Sequence, residues 1–548
     1  SAKLNAALNL AFVDELELIA SANMSSDVLR YHKQVVLQSV TPLQTSTQEG
    51  ESEGTYLPQM YRTYYKIDNK PMDAFAQITA SKYGNLINNK VSYSAILGSS
   101  LNYTKNFGEG AVVDPLLPPY PSADFIRPRS NKDIPAIVNH AAYIEAKLRY
   151  KHGISEINSQ IGLRETMMLN LPSAYVLHGK MLFEPRLQLS YTLSLGKTRH
   201  TLRMGYGEEN KMPSADYLYP DLVYHDFIAL NAYFNDESKR LLITNTKIQD
   251  PTNKQLRENK NRKVEMGYDF SFDDFAFSLT AFQEKMSGGI EYFTQYSPAS
   301  YTYYYELKHD IGNNKPTKDD FLQMQRRSFM ALNVPTNSSK ITKRGIEYRI
   351  HVPRIELLKT DIEINGAYYH TEYANGVPVM YYPSVMIGNQ SYPYVGIYDG
   401  YDVVKAENFN TNFWINTHLS KLKLIFTNFI QIVWFEHNKL SSDVDVWPER
   451  YMDASGEIKT LTEDLRNSDA DFKSLRREFL SARYNELRKP ISLRWNLKFT
   501  KEFSRNVRFS FFADNIVQVS PKYQDNYLQS QRNWYKPYFG AELILNIF

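Results

Sequence analysis

The 548-residue sequence predicts an all-β fold, a transmembrane antiparallel β-barrel, and three observations predict it. Apolar and polar residues alternate with a period of two along many segments. Connectors alternate between short turns and long polar stretches, as in barrels with a periplasmic and an exterior end. No apolar run approaches the ~18–20 residues that a membrane helix needs. Mean hydropathy is −0.47. That value does not separate a soluble all-β protein from a barrel, because only alternate residues of a barrel strand face lipid.

The alternation is plain in five segments. Ala142, Ile144, Ala146, Leu148 and Tyr150 alternate with Tyr143, Glu145, Lys147 and Arg149. Phe183, Leu187, Leu189, Tyr191 and Leu193 alternate with Glu184, Arg186, Gln188, Ser190 and Thr192. Val264, Met266, Tyr268, Phe270 and Phe272 form a third apolar row, and Ile346, Tyr348, Ile350 and Val352 a fourth. Ile491, Leu493, Trp495, Leu497 and Phe499 form the fifth, against Ser492, Arg494, Asn496 and Lys498. Segments of about ten residues suit a tilted membrane crossing, whereas sandwich strands run nearer five or six. Arg or Lys facing lipid at mid-membrane would cost about 2–4 kcal/mol, so the charged rows require a lumen holding water or a polar plug.

Short turns are predicted at Asp14-Glu15, Asn85–Asn89, Gly153-Ile154, Gly196–Arg199, Asp273-Asp274, Pro353–Leu358, Ser420-Lys421 and Glu502–Asn506. Long loops are predicted over Thr41–Lys70, Gly108–Asn139, Asn170–Gly179, Gly207–Asn261, Ser287–Lys340, Glu372–Asn408, Asn438–Lys489 and Ser520–Tyr535. Loops of this length are uncommon in compact domains unless they carry function. The segments count to roughly seventeen strands, where bacterial barrels normally have an even number. The last strand, Tyr538–Phe548, descends to the periplasm; by parity the first, Leu4–Phe12, descends too. The expectation is that residues 1–548 form one transmembrane barrel whose first strands lie upstream of Ser1. The final apolar row is Phe539, Ala541, Leu543, Leu545 and Ile547, which leaves Phe548 on the opposite row.

Composition narrows the function classes. There are 63 Lys+Arg and 60 Asp+Glu, a net of +3; no concentrated basic excess supports nucleic-acid binding. Cysteine is absent, which excludes disulfide scaffolds and cysteine chemistry. The 11 His are scattered without metal-ligand spacing, and no catalytic constellation stands out, so no cofactor and no enzyme activity are predicted. The chain holds 41 Tyr and 29 Phe but 5 Trp. Tyr suits sites with one apolar and one wet end, which membrane interfaces and binding loops both provide.

Two loop clusters are therefore candidate ligand-binding sites. One is Tyr301, Tyr303, Tyr304 and Tyr305. The other is Met380, Tyr381, Tyr382, Tyr392, Tyr394, Tyr398 and Tyr401. Rings of this kind stack on sugars, flat chelates or peptide side chains; packing of loop on loop is the alternative. Trp414, Trp434 and Trp495 read as girdle or lipid-facing residues. The mixed-charge run Asp464–Lys489 reads as a solvated loop helix, with contact to an anion or lipopolysaccharide as the other reading. The prolines between Pro115 and Pro128 read as a stiff exterior loop.

Several segments, in order along the chain, resemble TonB-dependent outer-membrane receptors of the Bacteroidetes type, relatives of the Sus-type importers. They are Met212-Pro213-Ser214 with Leu218-Tyr219-Pro220-Asp221, then Pro251-Thr252-Asn253 with Leu256-Arg257-Glu258-Asn259 before a strand. Thr342-Lys343-Arg344-Gly345-Ile346-Glu347 and Phe509–Ile516, with Ala513-Asp514-Asn515, complete the set. The resemblance implies a 22-strand barrel and a plug domain N-terminal to it. It also implies energy from the TonB–ExbB–ExbD system, contact with outer-membrane lipid and, in the Sus-type relatives, a surface lipoprotein lid. Import of a scarce nutrient (an iron chelate, oligosaccharide or peptide) is the function it implies. A non-transporting barrel subunit of an outer-membrane assembly and an open porin are the alternatives. A plug and TonB box would favour the first, stable partner proteins the second, and uncoupled conductance the third.

Overall fold

Seventeen strands follow one another in chain order as a single antiparallel sheet in the computed structural model, which describes residues 2–8, 12–120, 126–388, 390–442, 444–479, 481–504 and 506–546. They are β1 (Ala2–Leu8), β2 (Glu15–Met24), β3 (Pro71–Leu86), β4 (Val91–Asn106), β5 (Ile137–His152) and β6 (Ser155–Met168). Next come β7 (Leu182–Leu195), β8 (Thr198–Lys211), β9 (Asn259–Phe272), β10 (Phe275–Leu307), β11 (Phe321–Ile355) and β12 (Thr360–Asn375). The last are β13 (Asp402–Leu419), β14 (Leu424–Ser442), β15 (Ser492–Glu502), β16 (Val507–Val519) and β17 (Tyr538–Leu545). Leu487–Lys489 is an eighteenth segment but pairs with β14 in line with β15, so it extends that strand. Among the described residues no pairing joins β1 to β17. Residues 547 and 548, and with them the register of Phe548, lie outside the described residues.

The short turns gather at one end, as the alternation predicts. Gly153, Gly196, Asp273, Lys359 and Lys423 have φ between +47° and +59°. Positive φ is what tight hairpins of the primed types require, and Gly or Asp supplies it at least cost.

The face presented by the apolar rows decides the environment. Ile144, Ile161, Leu187, Met204 and Val264 are all exposed, not packed against a second layer. Register joins these rows across strands: Leu189 pairs with Met204, Met204 with Met266, Met266 with Ala281, and Ala281 with Ile346. The row continues through Tyr368, Phe409 and Phe435. A sandwich would bury this face; a barrel in a membrane turns it to lipid. The polar rows face the other way, and the surface grooves lie along them. The wall is that of an outer-membrane β-barrel. Replacing Leu279, midway along the apolar rows, with Arg is expected to cost about 2–4 kcal/mol. Gln188→Arg on the polar row is expected to cost under about 1 kcal/mol. Urea unfolding of the refolded protein in liposomes compares them, and equal costs would reverse the assignment of faces.

Two expectations need correction. Ser287–Lys340 is not an irregular loop. β10 and β11 run 33 and 35 residues and stay paired from Ala276↔His351 to Leu307↔Phe321, with register shifts at Ser287–Ile290 and between Tyr305 and Leu307. Gly288, with φ +73°, turns the ribbon there, above the membrane-crossing part. Trp414 is the second. It pairs with Glu363 and Phe429 and shares a row with Asn412 and Asn416, which bond Asn365 and Asp361. It therefore belongs to the polar face. Trp434 bonds Thr411 Oγ1 at 2.8 Å and stacks on Phe409, on the apolar face.

Candidate functional site

The long loops close over one end of the sheet and interlock there. Gly50–Glu53, from the β2–β3 loop, pairs with Leu241–Gln249 of the β8–β9 loop, which itself forms a hairpin with Val223–Ala232. The ribbon joins them: Lys318 Nζ lies 3.0 Å from Glu51, and Lys315 Nζ 2.5 Å from Glu53. Val379–Tyr381, Tyr394–Tyr398, Arg450–Asp453 and Ile458–Thr460 form a four-stranded sheet that unites the β12–β13 and β14–β15 loops. The mixed-charge run forms a helix over Glu463–Ser468 and a 3-10 turn over Ala470–Leu475. It is not wholly solvated, since Phe472 and Leu475 enter a core with Tyr392, Tyr451 and Leu461.

This cap accounts for each candidate tyrosine. Tyr304 is buried against Ala229, Leu230 and Phe321, and its hydroxyl reaches the Glu51 carboxylate at 3.2 Å. Tyr301 stacks on Phe227 at 4.9 Å between centroids. The Arg326 guanidinium lies 3.3 Å from the centroid of Tyr303, and Tyr305 is half-buried on the same face of the strand. In the second cluster Tyr392 and Tyr398 are completely enclosed. Their hydroxyls donate to the carbonyls of Asp471 (2.6 Å) and Leu475. Burial pushes both hydroxyl pKa values well up, so both remain donors. Tyr394 stacks on Phe472 at 4.6 Å. Tyr382 packs on Phe329 and Tyr296 of the ribbon, so both clusters meet the same strand pair. Tyr381 lies 5.4 Å from the Arg477 guanidinium, and Tyr401 is 44% exposed.

Arg326 was not among the sequence candidates, and Arg477 entered only as part of the mixed-charge run Asp464–Lys489. Cation–π contact leaves no spacing signal, because the ring and the cation sit on different loops. The same holds for Arg127, whose side chain is 2% exposed and forks onto Asp226 at 2.9 and 3.1 Å. It ties the β4–β5 loop to the β8–β9 loop.

Two of the four segments that carry the family resemblance sit under the cap, and the other two lie within wall strands β11 and β16. Leu218 is buried with Met168, Leu171, Tyr175 and Leu177. Arg129 holds the carbonyls of Tyr219 and Pro220 and lies 2.9 Å from Asp221. Asn253 Nδ2 donates to the Pro335 carbonyl at 2.8 Å, and Lys180 pairs with Glu258 at 3.0 Å. These residues fasten loops to the top of the wall.

One group gives the cap a pH dependence. His225, half-buried, lies 2.9 Å from Gln249 Oε1. Burial holds its pKa below the ordinary 6.5, against the opposing effects of Gln249 and Asp226. A folded-state pKa below the unfolded one means that the unfolded hairpin takes up the proton first. The contribution to stability is then full above about pH 6.5 and is lost as pH falls toward the lower folded value. Hydrogen exchange over 223–249 is expected to accelerate from about pH 7.5 to about pH 5.5, beyond the intrinsic rate change. His225→Gln should flatten that profile.

Below the cap the polar face is lined by paired charges. Arg203 forks onto Asp269 at 2.5 and 2.9 Å, and Arg149–Glu156 and Arg349–Glu363 each close at 2.8 Å. Grooves along this face are bordered by Lys147, Asn158, Gln160, Gln188 and Glu265. Such a surface accepts water, polar solutes or a polar protein segment. Among the described residues no group of three or more His, Cys, Asp or Glu could hold a metal ion.

No family model and no curated protein matches the chain. Solved structures do. The siderophore receptor PirA from Acinetobacter baumannii aligns over 98% of this chain and 61% of its own, at 11% identity and a TM-score of 0.47. A ferric enterobactin receptor variant (PfeA) from Pseudomonas aeruginosa, in complex with enterobactin, aligns over 98% and 69%, at 13% identity and 0.46. The RagAB peptide transporter aligns over 96% and 60%, at 12% and 0.47. The chain thus spans about three-fifths of the length of the first of these.

Proposed function

We propose that this barrel is the wall and receptor cap of a TonB-dependent outer-membrane importer of a scarce nutrient. The observation that carries the reading is the cap: loops that leave the wall at distant strands pair with and bridge one another at its long-loop end. An open pore gains nothing from such a cover, whereas a receptor that must hold a dilute ligand needs a preorganised surface there. The motif resemblance supports the same reading and adds energy from TonB–ExbB–ExbD, coupled through a plug domain within the polar lumen. A surface lipoprotein lid is proposed on the same ground. The ligand is an iron chelate, oligosaccharide or peptide.

Of the ten candidate tyrosines, Tyr301, Tyr303, Tyr305, Tyr381 and Tyr401 are proposed to face the ligand, while Tyr304, Tyr392 and Tyr398 hold the cap. Cells carrying the intact protein, supplied in turn with a labelled ferric siderophore, oligosaccharide or oligopeptide, test it. Uptake of one class that stops when TonB is deleted is the expected result. Uptake of all small solutes without TonB would make it a porin, and no uptake with a tightly co-purifying protein would make it a scaffold.

A further inference from the structure

The polar face is not uniform around the wall. Over β8 and β9 it is charged, with Arg203, Glu209, Lys211, Lys263, Glu265 and Asp269 on one side of the sheet. Over β12–β14 the same face carries carboxamides instead. One row runs Asn365–Asn412–Gln431, and Asn408, Asn410 and Asn416 share the face along β13. Between Asn412 and Asn416 stands Trp414, in register with Phe429 and, one strand further, with Asn496. The two rings lie 4.4 Å apart between centroids, tilted by 40°, and Trp414 is 40% exposed. An indole in this setting leaves apolar surface to the lumen, a cost that a ligand with an apolar face removes. A cavity of about 370 Å³ adjoins the rows, bounded by Arg349, Asn365, Tyr369, Asn410 and Asn412.

The carboxamides hold one another in place. Asn412 Nδ2 donates to Asn365 Oδ1 at 3.0 Å, Gln431 Nε2 to Asn412 Oδ1 at 3.2 Å, and Asn410 Nδ2 to Asn408 Oδ1 at 3.1 Å. An amide nitrogen carries two N–H groups, so one such bond fixes the side chain and leaves it capacity to donate again. The charged groups beside them are partnered. Arg349 lies 2.8 Å from Glu363, Asp361 accepts Asn416 Nδ2 at 3.1 Å, Arg494 donates to Gln431, and Lys498 lies 2.9 Å from Glu542. Partnered charges offer little to an anionic chelate. An extended peptide gains its main-chain bonds at a sheet edge, and β12, β13 and β14 are paired on both sides. Sugar hydroxyls both donate and accept, as carboxamides do, and the C–H face of a pyranose suits the negative face of an aromatic ring. Successive side chains on one face of a strand lie about 6.6 Å apart, which sets amides one sugar-ring width above and below the indole.

We infer that this strip of the lumenal wall binds a neutral saccharide, one sugar ring on Trp414 and Phe429 and its hydroxyls on Asn365, Asn412, Asn416 and Gln431. The inference rests on the import reading and narrows its ligand to an oligosaccharide, which passes this strip below the cap. The full chain in phosphatidylcholine nanodiscs is titrated calorimetrically with neutral hexasaccharides of glucose, mannose and xylose, and with a hexapeptide beside them. Binding of at least one saccharide is expected. Trp414→Ala should weaken it about tenfold or more, and Asn412→Leu about fivefold. Trp414→Tyr should keep most of the binding, which separates loss of the ring from damage to the wall, and Gln188→Leu on β7 should keep all of it. In cells, TonB-dependent uptake of that saccharide should fall with Trp414→Ala and not with Gln188→Leu. No saccharide binding, or binding that Trp414→Ala leaves unchanged, would overturn the platform. TonB-dependent uptake of a peptide or ferric siderophore, indifferent to Trp414→Ala, would overturn it too and leave the importer reading standing. Saccharide binding lost with Trp414→Ala but without TonB-dependent uptake would support the platform and overturn the importer reading.

Discussion

Asp226→Ala is expected to loosen the cap by about 3–5 kcal/mol while leaving the wall intact, because it strands a buried guanidinium without its counter-ion. Arg127 is enclosed, forks onto both Asp226 oxygens and lies 4.6 Å from the centroid of Tyr224. The carboxylate also accepts the Thr246 hydroxyl at 2.7 Å, and Thr246 is itself completely buried. Removal of Asp226 therefore costs two kinds of partner at once, and water has little access to replace either. Arg127→Met combined with Asp226→Leu removes the charge with the pocket and should recover most of the loss. Hydrogen exchange over 126–130 and 223–249, set against exchange in β5–β9, separates cap from wall. A single Asp226→Ala variant as benign as the double variant would show that the pair contributes nothing to closure.

The wall could be read from the sequence and the cap could not, for a physical reason. Lipid-facing residues such as Leu187, Leu189 and Tyr191 are fixed by a period of two within one strand, and turns such as Gly153 and Gly196 by local φ. Both signals lie within a few consecutive residues. Loop closure depends on partners far apart in sequence: Tyr304 and Glu51 are 253 positions apart, and Tyr398 and Leu475 are 77 apart. The ribbon was hidden for a related reason. Beyond Gly288 both faces of β10–β11 are covered by loops: Tyr301 stacks on Phe227 from one, and Tyr296 and Tyr304 pack on Tyr382 and Leu230 from the other. Burial on both faces erases the alternation that would have marked a strand. Trp414 was misplaced because a tryptophan reads as an interface residue, whereas its register is set by Glu363 on the neighbouring strand.

That same distinction gives the second large effect. Tyr398→Ala is expected to cost the β12–β13 and β14–β15 loops about 3–5 kcal/mol, through lost burial and the cavity it leaves. Tyr398→Phe should cost about 1–3 kcal/mol, since only the donor to the Leu475 carbonyl is lost. Tyr392 should follow the same order, with the Asp471 carbonyl as its acceptor. Tyr401→Ala and Tyr305→Ala should cost clearly less stability than Tyr398→Ala, on the order of 1 kcal/mol, yet lower the affinity for the imported ligand by about tenfold or more if those rings contact it. Chemical denaturation and ligand binding on the same variants therefore produce two columns that ought not to correlate. If Tyr398→Ala lowers affinity without loosening the loops, the buried tyrosines reach the ligand after a rearrangement of the cap. If Tyr401→Ala and Tyr305→Ala alter neither column, recognition lies elsewhere, with Arg326 and Arg477 as the next residues to replace.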